Sequence, residues 1–136
     1  MLASRTLYQR TLNICELTEK VSQASACQPR LKSFSLELSN HLISDSILLK
    51  SSIHNALSKD LSFHGQGKVV QFALILVRNL QYYLKGLEYD ASLPSDYTKA
   101  ILDELRKYQR YLSMNHKRWS RLINLQVLLK TLVPFR

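Results

Sequence analysis

Apolar positions recur at spacings of three and four along most of this chain, with few turn-forming residues between them. From about Ser4 to Ala26, Leu7, Ile14, Leu17 and Val21 share one helical face. Tyr8, Leu12 and Cys15 lie on an adjoining strip, so this helix is expected to touch more than one neighbour. Pro29 biases Gln28 away from the α region and ends it. Pro29 can then occupy the first turn of a second helix running to Ser58. There Leu31, Phe34, Leu38, Leu42, Leu49, Ile53 and Ala56 form a core stripe, and Leu36, Ile43 and Ile47 form another on the far side. A helix with two apolar stripes is either central or meets a partner outside its own bundle.

The segment from Lys59 to Gly67 reads as a loop, with Gly65 and Gly67 placed to turn the chain. A third helix, from Lys68 to Leu87, is apolar nearly all round and is expected to be the most buried. Glu88 to Pro94 reads as a second loop. Ser95 then suits the N-cap of a fourth helix, and Asp96 in its first turn complements the helix dipole. This helix is expected to reach Leu132, with a bend or unbroken passage through Ser113-Met114-Asn115 and a stop at Pro134. Long helices joined by short loops predict an all-α, antiparallel up-down four-helix bundle with a long basic C-terminal helix, one domain over residues 1–136.

Composition supports that class. The 136 residues include only three Gly and three Pro, too few for an all-β chain with its frequent turns. Cys15 and Cys27, if on one helix, would sit roughly 18 Å apart along its axis, beyond the reach of a disulfide. Both are expected to be reduced, buried thiols, which fits a cytoplasmic protein. No apolar run is long enough to span a bilayer, and the first residues lack the apolar stretch of a signal peptide, so no membrane partner is expected.

Charge changes the picture more. The formal net charge is +9. From Arg106 onward there are eight basic side chains and no acid, whereas residues 1–105 hold eleven basic and ten acidic ones. On the fourth helix, Ile101, Leu105, Tyr108, Leu112, Trp119 and Ile123 fall in a sector about 60° wide at the ideal helical rotation. Arg106, Arg110, Lys117 and Arg121 fall on the other side, with Lys107 and Arg118 at their flank. Arginine forks bind phosphate bidentately, and a row at helical spacing can follow an RNA or DNA backbone. Tyr111 borders the row, where it could stack on a base. The alternatives are an acidic protein partner for this face and a plain solvated surface.

Catalytic and metal signals are sparse. His41, His54, His64 and His116 show no metal-ligand spacing, and no Glu-x-x-His repeat of a di-iron bundle occurs. Glu37 and His41 stand one turn apart as a lone pair. Adjacent Asp103 and Glu104 point to different sectors, and no glycine-rich phosphate loop or nucleophile elbow occurs. The chain therefore reads as a binding module and not an enzyme, without cofactor or metal. One alternative is enzymatic. Arg110-Tyr111-Leu112-Ser113-Met114-Asn115-His116 resembles the Arg-x(4–6)-His motif of HEPN ribonucleases, which would make His116 a general acid/base and Arg110 a phosphate ligand.

A second resemblance covers roughly residues 7–119. Pro29-Arg30 followed by Phe34, two apolar helices, then Tyr97, Leu102-Asp103-Glu104, Arg110-Tyr111-Leu112 and Trp119 resemble the accessory variability determinant (Avd) proteins of diversity-generating retroelements and their relatives in ribosomal-RNA intervening sequences. Gln28 stands where that family often has Phe, and Lys117-Arg118-Trp119 where it often has Gly-Gly-Trp. The resemblance implies a ring-shaped homopentamer whose basic surface binds nucleic acid and a reverse transcriptase. It adds Arg30 to the basic positions of the fourth helix. Independently of it, Leu36, Ile43 and Ile47 are candidates for the heterologous interface that a ring needs.

Overall fold

A computed structural model describes residues 5–26, 33–59, 63–89 and 95–132, and among them the chain is all helical, with no strand. The helices are α1 (Arg5–Ala26), α2 (Ser33–Ser58), α3 (Phe63–Tyr89) and α4 (Ser95–Leu132). Cys27, Pro29, Arg30, Leu31 and Pro134 lie outside the described residues, as do the side chains of Phe34, His64, Arg118, Trp119 and Ile123. No described helix is long and apolar enough to cross a membrane.

All four helices contribute to one core. Leu7, Ile14 and Val21 enter from α1; Leu38, Leu42, Leu49 and Ile53 from α2; Val70, Leu76, Leu80, Leu84 and Leu87 from α3; Ile101, Leu105, Tyr108 and Leu112 from α4. Burying each large aliphatic side chain contributes about 1.5–3 kcal/mol relative to leaving it in water. Helix α2 packs on α1 and α3, α3 on α4, and α4 returns to α1 through the sparsest of these four contacts.

Small polar side chains pin the contacts between α1 and α2. Ser39 Oγ donates to Ser22 Oγ at 2.9 Å, and the Cys15 thiol donates to the Ser46 carbonyl at 3.2 Å. Between α2 and α3, Asp45 accepts from Asn79 Nδ2 (3.3 Å) and from the Tyr83 hydroxyl (3.1 Å). Gly86 lies so close to Leu38 that a Cβ there would meet its Cδ1 at 2.8 Å, so the absent side chain sets this approach. Gln81 reaches Gln109 at 3.0 Å between α3 and α4. The Thr11 and Tyr108 hydroxyls meet at 2.7 Å between α1 and α4, and Thr11 also donates to the Leu7 carbonyl. With that donor spent, Tyr108 supplies the proton of the shared bond.

One expectation is corrected. The segment around Gly65 and Gly67 is no loop, because α3 starts at Phe63 rather than Lys68. Gln66 and Gly67 are buried there, and burial in the first turns offsets the helix cost of glycine, about 1 kcal/mol. Helix α3 supplies more buried apolar side chains than any other helix among the described residues, as expected, yet Phe72, Ile75 and Tyr82 are 42%, 53% and 70% exposed. A helix packed on two neighbours keeps an outer side, whatever residues occupy it. Helix α2 is described from Ser33, and its expected start at Pro29 lies outside the described residues. Helix α4 is assigned without interruption through Ser113-Met114-Asn115.

Replacing wholly buried Leu80 with Ala is expected to destabilise the fold by about 2–5 kcal/mol. Tyr108→Phe removes one buried partner from Thr11 and is expected to cost about 1 kcal/mol. Exposed Gln71→Ala is expected to stay within about 0.5 kcal/mol of wild type. Urea unfolding followed by circular dichroism ranks the three, and equal losses at Leu80 and Gln71 would contradict the assigned core.

Candidate functional site

The rotation of α4 is set by its apolar seam. Ile101, Leu105, Tyr108 and Leu112 are 0–2% exposed, so side chains about half a turn away must face outward. Arg106, Lys107, Arg110, Lys117 and Arg121 are all exposed. Arg30 lies outside the described residues, and so does the side chain of Arg118.

The first two cations of this row are not free of acid. Arg106 Nη1 lies 3.0 Å from Asp103 Oδ1, and Lys107 Nζ lies 3.5 Å from Glu104 Oε1. The absence of acid after Arg106 hides this, because the carboxylates stand one turn earlier on the same helix. Each pair is exposed and contributes roughly 0.2–1 kcal/mol, little enough for a phosphate to displace. Arg110, Lys117 and Arg121 have no such pairing among the described residues. Asp103 and Glu104 each serve a different cation.

Tyr111 is not open for base stacking on both faces. It is half-buried, and the Arg10 guanidinium of α1 lies 4.8 Å from its ring centroid. This cation–π contact brings an α1 cation beside the row, which spacing on α4 alone could not show. Arg10 and Lys107 also line a groove of about 270 Å³ between α1 and α4, with Asn13 and Glu104.

Arg110 and His116 are not brought together on one face of α4. Six residues at the helical rotation separate them by about 120°. Arg110 is exposed, whereas His116 is half-buried and its Nδ1 has no hydrogen-bond partner among the described residues. His41 stacks on Tyr83 at 5.5 Å rather than pairing with Glu37. His54 lies 5.6 Å from the Tyr8 ring. No group of three metal-ligating side chains occurs among the described residues.

The second stripe of α2 is solvent-exposed, with Leu36 at 46%, Ile43 at 37% and Ile47 at 55%. Sequence reasoning missed a further outer apolar group: Leu48 on α2 and Phe72, Ile75 and Tyr82 on α3. The all-round apolar pattern of α3 concealed it, because periodicity cannot say which third of such a helix faces out.

Burial pushes the Cys15 thiol above its ordinary range, with Lys50 and Ser46 partly opposing it. A raised value means less thiolate, so Cys15 in a Cys27→Ser background should be alkylated by iodoacetamide more slowly than a free thiol at pH 8. Reaction faster than a free thiol would show an activated cysteine instead. Comparison with protein-family models, curated proteins and solved structures gives no match for this chain.

Proposed function

We propose that this protein is a non-catalytic nucleic-acid-binding module that neutralises backbone phosphates with the outer face of α4. The observation that carries the reading is the exposure of Arg110, Lys117 and Arg121 on a helix whose apolar seam, from Ile101 to Leu112, is locked into the core. Arg106 and Lys107 extend the row at the cost of weak surface pairs. Phosphate contacts position a polymer without specifying its sequence, so binding is broad. Cytoplasmic location, with an RNA or DNA backbone as the polymer, belongs to the same reading.

The finer architecture that suits this role is a single-domain, antiparallel up-down bundle. Its support is the order of the contacts: Ser22 with Ser39 but Cys15 with Ser46, and Gln81 with Gln109 but Glu88 with Thr98. Self-assembly is a second element, favoured by the exposed Leu36, Ile43 and Ile47. A pentameric ring serving a reverse transcriptase in a retroelement is its most specific form, resting on the resemblance in order and spacing. A protein partner for the basic face is the competing reading.

The test is fluorescence anisotropy of a structured RNA at two salt concentrations, with wild type and an Arg110→Ala/Lys117→Ala/Arg121→Ala variant. Each phosphate neutralised on a duplex adds about 0.9 to the magnitude of the log–log salt slope, so the variant should lose about 2–3. Identical binding by both proteins, or no binding of RNA or DNA by wild type at low salt, would refute the proposal.

A further inference from the structure

Basic side chains also gather where the end of α3 meets the start of α4. Lys85, Lys99 and Arg106 line one groove of about 580 Å³, together with Glu88, Tyr89, Ser95 and Leu102. That volume lies within the usual range of small-ligand pockets, about 300–1,000 Å³. Lys85 and Tyr89 stand one turn apart on α3. Lys99 and Arg106 stand two turns apart on α4, with Leu102 between them on the same side.

Lys85, Lys99 and Arg106 leave this concavity net positive, although Glu88 shares the lining and Arg106 is paired with Asp103 at 3.0 Å. The lining offers one carboxylate, and Glu88 Oε2 is already an acceptor for the Thr98 hydroxyl at 2.9 Å. Tyr89 is 92% exposed, the highest among the exposed large hydrophobic side chains described. A ring left that open beside cations suits stacking on a nucleobase. Leu102, 7% exposed, gives the groove an apolar floor.

We infer that this groove is a pocket for the terminal phosphomonoester of a nucleotide or polynucleotide, held by Lys85, Lys99 and Arg106, with the attached base on Tyr89. The inference rests on the nucleic-acid reading for its ligand class. A phosphomonoester carries about −1.5 to −2 charge at neutral pH, so Lys85 and Lys99 attract it more strongly than a singly charged diester. Arg106 belongs both to the groove and to the outer row of α4, one turn before Arg110. A strand anchored by its end in the groove is therefore led onto the row.

The experiment compares wild type, Lys85→Ala/Lys99→Ala and Tyr89→Ala. Calorimetric titration with adenosine 5′-monophosphate, adenosine and inorganic phosphate reads the pocket directly. Anisotropy with a circular RNA, which has no terminal phosphate, reads the row. Wild type should bind the monophosphate and not adenosine, and the double lysine variant should bind it about tenfold more weakly, equivalent to about 1.4 kcal/mol. Tyr89→Ala should weaken the monophosphate more than inorganic phosphate, and circular RNA should bind all three proteins alike. Equal affinity for monophosphate and adenosine, or unchanged monophosphate binding by the lysine variant, overturns the inference. If circular RNA binds and the monophosphate does not, the pocket falls and the row stands. If only the monophosphate binds, the row falls and the pocket stands.

Discussion

The rotation of α4 about its own axis governs most of what this molecule presents to its surroundings. Ile101, Leu105, Tyr108 and Leu112 are almost wholly buried, and they occupy one narrow sector of the helix. Turning α4 by a third of a revolution would expose that seam and drive Arg106 or Arg110 toward the core. Burying an unpaired guanidinium costs far more than any surface contact returns. The positions of the cations are thus a consequence of the apolar seam opposite them.

Helix pairing rests on a different kind of contact. Leucine and isoleucine drive association but discriminate poorly between neighbouring registers. The short polar bridges discriminate well, because a slipped register would strand buried hydroxyls. Ser22 with Ser39, Asp45 with Asn79 and Tyr83, and Thr11 with Tyr108 each tie one pair of helices at a defined height. Tyr108 matters most, because it joins the packing of α4 to the sparse α1–α4 contact. Burial holds its hydroxyl well above the ordinary range, so it remains a neutral donor.

These two constraints leave an uneven surface. The outer side of α4 offers cations, of which only Arg106 and Lys107 have carboxylate partners among the described residues. The outer sides of α2 and α3 offer Leu36, Ile43, Ile47, Phe72, Ile75 and Tyr82 to solvent. The cationic and the exposed apolar surfaces therefore share no residues. In the proposed reading, one side assembles while another holds a polymer, and the groove of Lys85, Lys99 and Arg106 marks where a polymer end would enter.

The sequence by itself determined the helical class, the approximate bounds of α1, α2 and α4, and the split of α4 into an apolar seam and a basic face. These are local properties, fixed by the 3.6-residue period and by the side chains of a single helix. It also marked Leu36, Ile43 and Ile47 as lying off the core. Only the tertiary structure decided matters that depend on a neighbour. The Gly65–Gly67 segment is helical because packing outweighs weak propensity. Phe72, Ile75 and Tyr82 face outward because α3 packs chiefly on two helices, α2 and α4. Arg10 covers Tyr111, and Lys85 joins Lys99 and Arg106, because residues distant in sequence share a seam in space. No periodicity within one helix carries information about which residue of another helix will stand beside it.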